Sequence, residues 1–134
     1  MTDLQLMQLA VEAREMAYAP YSGFRVGAAL LGKSGKVYKG CNVENAAYSP
    51  TNCAERTALF KAVSEGEREF LAIAIVGGMY ETIADFCAPC GVCRQALAEF
   101  CDKDFRLVLG NPNNVKVYTF EEILPFAFDK ADLE

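Results

Sequence analysis

Six consecutive apolar residues, Leu71-Ala72-Ile73-Ala74-Ile75-Val76, constrain this chain more than any other stretch. A run without polar alternation reads as a strand buried on both faces, and such a strand needs a packed layer on each side. The flanking patterns supply those layers. Thr2 to Tyr18 reads as an amphipathic helix with Leu4, Met7, Val11 and Tyr18 on one face, a capping box from Thr2 and Gln5, and Pro20 beyond its end. Arg25 to Leu31 and Val37 to about Val43 read as a hairpin through the Gly-rich turn Gly32-Lys33-Ser34-Gly35-Lys36. A helix from Cys53 to about Ser64 follows, ending at Gly66, and then the buried strand from Phe70 to Gly77. A loop from Met79 to Ala88 delivers a third helix that opens at Pro89 and runs through Phe100. Strands at Phe105 to Leu109 and Val115 to Thr119 enclose a turn at Asn111-Pro112-Asn113-Asn114, and a short helix from Glu121 to Leu124 precedes an aromatic tail. This order predicts an α/β fold of three layers, α/β/α, with one mixed five-stranded sheet and helices on both faces. Residues 1–134 read as a single domain without repeat or linker.

Two short stretches carry the chemistry. Cys53-Ala54-Glu55-Arg56 heads one helix and Pro89-Cys90-Gly91-Val92-Cys93 heads another, and both helices follow strands. Cys90 and Cys93, three apart, lie about 60° from each other around a helix and can face one ion. Cys53 and Glu55 would point to nearly opposite sides of a helix interior, so they address one metal only if the helix end faces it. Capping residues in Ser49-Pro50-Thr51-Asn52 and a first-turn Pro89 predict that placement. Helix N-termini then aim partial positive charge at the sulfurs and favour thiolates. Three thiolates on Zn²⁺ leave a fourth position for water, with Glu55 as a proton carrier beside the metal. The centre is net negative, so a cation has to offset it by hydrogen bonding to sulfur. Arg56 and Arg94 are the candidates, and Arg56, next to the proton carrier, is preferred.

Composition excludes several classes. With 134 residues and a 52% apolar fraction the chain can bury a full core. A formal charge of −5 disfavours a nucleic-acid polymer as partner, because affinity for phosphate backbones comes from Lys and Arg. No stretch is long enough to span a membrane, and Asp3 and Glu12 stand where a secretory signal would be basic, so a cytoplasmic location is expected. Six unevenly clustered cysteines then read as reduced thiols and metal ligands rather than as a disulfide framework.

Other residues admit two readings each. Phe24, at the exit of the Tyr18 to Phe24 loop, fits the core or a pocket wall on which a flat base stacks. Asn42 and Glu44, where the second strand runs out toward Cys53, fit turn caps or groups that read a ligand. Tyr48 fits a half-buried aromatic or a pocket wall.

The stretches Phe24-Arg25-Val26-Gly27-Ala28-Ala29, Gly40-Cys41-Asn42-Val43-Glu44-Asn45-Ala46-Ala47-Tyr48, Cys53-Ala54-Glu55-Arg56 and Pro89-Cys90-Gly91-Val92-Cys93-Arg94-Gln95 resemble the small, tetrameric class of cytidine deaminases across nearly the whole chain. The pattern known for zinc deaminases is a His or Cys ligand, a Glu two residues on and a later PCxxC. Here the first ligand is Cys53, and the chain has no His. The resemblance implies one Zn²⁺ per subunit on Cys53, Cys90 and Cys93, with Glu55 shuttling protons. It implies that Asn42 and Glu44 bind the ribose hydroxyls, that Phe24 packs against the nucleoside and that Ala54 offers a backbone contact to the pyrimidine. Ala46, Tyr48 and Phe128 would reach a neighbouring subunit's site, so that a homotetramer shares its active sites. The implied reaction is hydrolytic deamination of cytidine and 2′-deoxycytidine in pyrimidine salvage, with a free nucleoside as the small-molecule partner. Cys87 departs from the family pattern, and Cys41, Cys87 and Cys101 are assigned no role.

Three rival readings share these residues. Cys53, Cys87, Cys90 and Cys93 would make a closed structural Cys₄ zinc site, which leaves Glu55 and Arg56 unexplained. A redox CxxC leaves Cys53 unexplained. A deaminase of a modified cytosine nucleoside such as blasticidin S keeps the chemistry and changes the substrate, and the Phe24 to Ala29 and Asn42 to Tyr48 stretches favour cytidine over it.

Overall fold

The computed structural model describes residues 1–133. Its sheet contains β1 (Phe24–Gly32), β2 (Val37–Cys41), β3 (Phe70–Met79), β4 (Arg106–Asn111) and β5 (Asn114–Thr119) in the order β2-β1-β3-β4-β5. The β3–β4 pairing is parallel, and the other neighbours are antiparallel. The expected mixed five-stranded sheet is therefore present, with the apolar run in its central strand. Ala72 to Val76 are fully buried, while Leu71, at the start of the run, is exposed.

Side-chain size separates the two faces of the sheet. On one, Ala29, Ala72, Ala74, Val76 and Val108 pack against Leu6, Met7 and Ala10 of α1 (Asp3–Arg14). On the other, Leu30, Ile73, Ile75, Leu107 and Leu109 pack against α2 (Ala54–Ser64) and α3 (Gly91–Ala98). The small residues let α1 lie close. A Cβ at Gly27 would collide with the Ala10 carbonyl and the Arg14 backbone nitrogen.

The topology decides where the site can be. Strands β2 and β3 are both antiparallel to β1, and β4 is parallel to β3, so all three end at the same edge of the sheet. Helix α2 follows β2 and α3 follows β3, which brings both helix N-termini to that edge.

The first helix differs from expectation. Its capping box forms, with Gln5 N donating to Thr2 Oγ1 at 3.1 Å and Thr2 N to Gln5 Oε1 at 2.8 Å. Its buried face, however, is Leu6, Met7, Ala10, Ala13 and Arg14, while Leu4 and Tyr18 are exposed. Met7 is buried as expected, and close approach to the sheet at Gly27 brings Ala10 and Arg14 onto the same face in place of Leu4 and Tyr18. The helix stops at Arg14 rather than Tyr18 because the following backbone is drawn to the second strand's exit: Tyr18 N donates to Asn42 O at 3.0 Å, and Glu44 N to Tyr18 O at 2.8 Å. Val43 leaves β2 and bridges Tyr18 and Asn52. The third helix begins one residue after its capping Cys90 and ends at Ala98, short of Phe100. The short helix α4 is Phe120–Ile123, and a 3₁₀ turn spans Lys130–Leu133.

Helix α2 rests directly on β2 at Gly40, where a Cβ would stand 2.5 Å from both Ala54 O and Ala58 N. Gly40→Ala is therefore expected to push the helix off the strand and to lower unfolding free energy by about 1–3 kcal/mol, the usual cost of overpacking. Urea unfolding should show this as a lower midpoint at unchanged slope.

Candidate active site

Cys53 and Cys90 occupy the same structural position on two different helices. Each is the N-cap, with extended backbone angles of φ −77°, ψ 156° and φ −68°, ψ 168° respectively. An N-cap side chain leaves the helical wheel. This is how Cys53 and Glu55, two residues apart, can both face the same point. The capping chemistry differs from expectation, because Cys53 itself is the cap and the preceding polar residues serve elsewhere. Thr51 Oγ1 accepts from Asn45 N, and Asn52 Nδ2 donates to Thr57 Oγ1. Cys90 Sγ accepts from Cys93 N at 3.4 Å.

The sulfurs of Cys53, Cys90 and Cys93 lie within 4.8 Å of one another, with 3.9 Å between Cys53 and Cys90 and 3.4 Å between Cys90 and Cys93. A tetrahedral Zn²⁺ with Zn–S bonds near 2.3 Å sets its sulfurs about 3.8 Å apart. Donor identity, count and spacing therefore fit one zinc ion. Cys87 does not join the cluster; a Cβ on Gly77 would stand 2.8 Å from its sulfur, which places that thiol against the end of β3. The closed four-cysteine site thus lacks its fourth ligand among the described residues.

The surroundings favour an anionic sulfur at Cys53. The neighbouring Cys93 thiol and the Arg56 guanidinium hold the Cys53 thiol well below its ordinary range, while the same pairing and burial raise Cys93, so negative charge centres on Cys53. Arg56 Nη2 donates to Cys53 Sγ at 3.3 Å, and its Nε is buried without a partner. Arg94 turns away from the sulfurs: its Nε donates to Pro89 O at 2.9 Å and its Nη1 to Ile123 O at 2.7 Å, tying the start of α3 to the end of α4. Glu55 is only 5% exposed, and burial lifts its carboxyl up to about 7. A group with that value can both take and give a proton near neutral pH.

A cavity of about 250 Å³ opens beside the thiols, lined by Phe24, Asn42, Glu44, Ala54, Glu55 and Cys87 among others. A second cavity shares Ser22, Glu44 and Thr51 with it and adds Tyr48. A larger cavity of about 600 Å³ lies under the C-terminal tail and is lined by none of the clustered thiols, so the chemistry points to the smaller one.

Asn42 and Glu44 turn out to hold backbone while facing this space. Asn42 Oδ1 accepts from Val26 N and its Nδ2 donates to Phe24 O, each at 2.8 Å, leaving one N–H and one lone pair. Glu44 Oε1 accepts from Tyr21 N at 2.9 Å and Ser22 N at 3.1 Å, and its Oε2 accepts from the Ser22 hydroxyl. Ala46 is exposed and stands outside both cavities. Phe128 is 60% exposed and likewise outside them, its carbonyl accepting from Gln95 Nε2. Sequence reasoning missed Ser22, although a Ser two residues before Phe24 is the spacing at which a hydroxyl accepts the i+2 N–H.

The profile described as "Cytidine and deoxycytidylate deaminase zinc-binding region" matches residues 1–109. The chain belongs to this deaminase family. It is 51% identical over 129 residues to a cytidine deaminase of Halalkalibacterium halodurans, a match covering 96% of this chain and 95% of that protein. The crystal structure of cytidine deaminase from Burkholderia pseudomallei superposes with a TM-score of 0.87 at 50% identity, covering 96% of this chain and all of that one. A blasticidin-S deaminase of Bacillus cereus is more distant, 32% identical over 132 residues, 96% of this chain and 93% of that protein.

Membership in a zinc deaminase family and the three-thiol cluster together make Zn²⁺ the cofactor of this deaminase. Cys93→Ser is expected to abolish stoichiometric zinc in the purified protein, whereas Cys87→Ser should retain one zinc per chain. Metal analysis after desalting reads both.

Proposed function

We propose that this deaminase hydrolyses cytidine and 2′-deoxycytidine to uridine and 2′-deoxyuridine with release of ammonia. The observation that carries the reading is the meeting of three thiols at two helix ends with a buried, proton-competent Glu55 beside one cavity. The identity of about one half with relatives named cytidine deaminase favours this substrate over blasticidin S.

Cys53, Cys90 and Cys93 would hold Zn²⁺, which when bound supplies the Lewis acidity that brings the pKa of a water toward about 7. Glu55 takes the proton of the attacking water and hands it to N3 of the pyrimidine as C4 becomes tetrahedral. It then carries the proton of the new C4 hydroxyl to the departing amine, so that one water is consumed, a C4 carbonyl forms and one ammonia leaves. Arg56 offsets the charge of the thiolates through its bond to Cys53. Phe24 packs on the nucleoside and the Ala54 backbone meets the pyrimidine. Asn42, with its remaining N–H, and Glu44 bind the ribose hydroxyls.

The same reading makes the molecule a homotetramer with shared sites, acting in cytoplasmic pyrimidine salvage with residues 1–134 as one catalytic domain. Exposed aromatics support the sharing: Tyr48 is 76% exposed at a φ of 63°, Phe126 is fully exposed at a φ of 55°, and Phe128 projects nearby in sequence. Left-handed backbone at a bulky residue is costly and persists where something holds it, which a neighbouring subunit would do. Among the described residues no helix is long and apolar enough to cross a membrane.

Glu55→Gln tests the mechanism. Ammonia release from cytidine should fall by about 10²–10⁴-fold while zinc remains bound, and full activity in that variant would sink the assignment. The Glu44 carboxylate also separates cytidine from its 5′-phosphate, since repulsion of about a kcal/mol at close range gives roughly fivefold or more in kcat/KM. Side-by-side turnover of the two measures it, and equal efficiency counts against Glu44 at the sugar.

A further inference from the structure

Ser22, in the loop before β1, joins two of the residues that face the cavity. Its Oγ accepts from Phe24 N at 3.0 Å, and its hydroxyl donates to Glu44 Oε2. Its backbone N–H donates to Glu44 Oε1, beside that of Tyr21. A serine hydroxyl has one proton and two lone pairs. Phe24 N–H occupies a lone pair, and an ionised carboxylate has nothing to donate. The single proton therefore points at Glu44.

The two carboxylate oxygens of Glu44 are not equivalent. Oε1 is committed to two backbone N–H groups, while Oε2 receives the Ser22 hydroxyl alone and keeps capacity for another donor. That hydroxyl is also the largest influence holding the Glu44 carboxyl below the usual carboxylate range, so the acceptor is anionic. Ser22 and Glu44 line both the thiol cavity and the adjoining one. Phe24 needs no help from Ser22 to stay in place, because β1 pairs with β3 from Phe24 onward and Asn42 holds the Phe24 carbonyl.

We propose that Ser22 is a positioning residue for the sugar: it orients Glu44 Oε2 toward a ribose hydroxyl and so sets affinity for nucleosides that carry one, without touching the chemistry at the pyrimidine. The inference rests on the deaminase reading above. Ser22 is exposed, so replacing it leaves the core untouched.

Ammonia release from cytidine, with 2′,3′-dideoxycytidine as competitor, tests it on the zinc-loaded wild type, Ser22→Ala and Ser22→Thr. In Ser22→Ala, KM for cytidine should rise about ten- to a hundredfold, the loss of one charge-assisted hydrogen bond, with kcat within about twofold. Ser22→Thr, which keeps the hydroxyl, should restore KM. The inhibition constant of dideoxycytidine, which lacks the 2′- and 3′-hydroxyls that Glu44 would bind, should stay unchanged across the three proteins. Equal weakening of both nucleosides would overturn the proposal, since the hydroxyl would then serve the loop and not the sugar. Unchanged KM for cytidine, or loss of zinc from Ser22→Ala, would overturn it too. A zinc-loaded wild type that releases no ammonia from cytidine overturns the deaminase reading itself, and this inference falls with it.

Discussion

Two helix N-termini must meet at one edge of the sheet, and most of the molecule can be understood as what allows them to. A helix start carries roughly half a positive charge and several unpaired N–H groups, so two of them together can stabilise a concentration of anionic sulfur that would otherwise repel itself. Their meeting depends on the common direction of β2, β3 and β4, and each crossover helix then starts where its strand ends. It also depends on how near α2 lies to the sheet. Gly40 under Ala54 and Ala58 sets that distance, and because Cys53 immediately precedes this contact, a shift in the helix would carry the ligand with it.

Two arginines show how position divides structural from chemical work. Arg14 is 6% exposed and has no carboxylate on it; its guanidinium donates instead to the carbonyls of Arg25, Gly78, Tyr80 and Thr82. Burial and, after it, the charge of Arg25 lower its pKa, yet the carbonyls satisfy its donors, and they tie α1 to the segment leaving β3. That segment leads toward Cys87 and Cys90, so a residue on the far face of the sheet helps hold the approach to the thiols. Arg56 is incompletely satisfied by comparison, with a buried Nε lacking a partner next to the sulfur that its Nη2 contacts. A donor left unpaired in a low-dielectric site is costly in itself and favours negative charge nearby.

The central strand, the hairpin, the two ligand helices and the three clustered thiols were legible because each rests on local pattern or fixed spacing. A six-residue apolar run can hardly be anything but a buried strand in a mixed fold, and Cys90 and Cys93 share a face by helical geometry alone. The inward face of α1 was legible only in part, at Met7 and Val11. Its selection turns on how closely the helix approaches Gly27 and Ala29, and a stripe chosen for hydrophobicity gives Leu4 and Tyr18 the weight that Ala10, Ala13 and Arg14 have in the folded chain. The alternatives held open for Asn42 and Glu44, turn cap or ligand reader, do not exclude each other. A side-chain amide or carboxylate has more than one bonding site, and periodicity carries no information on how many are taken.

The side of the cavity lined by Ser22, Asn42 and Glu44 is built on a different principle from the side formed by the thiols. Cys53 and Cys90 are placed by helix ends, which are rigid once the helices are packed. Asn42, Glu44 and Ser22 lie in loops or at strand exits, where backbone is free to move unless something binds it. Each of the three uses part of its polar capacity on neighbouring backbone: Asn42 on Phe24 and Val26, Glu44 on Tyr21 and Ser22, Ser22 on Phe24. The groups that would recognise a ligand are thereby the same groups that order the loop presenting them. Ordering done in the free protein need not be done again on binding, so the conformational cost of gripping a small polar ligand falls. The arrangement also couples Ser22 to Glu44, because Ser22 contacts both oxygens of that carboxylate.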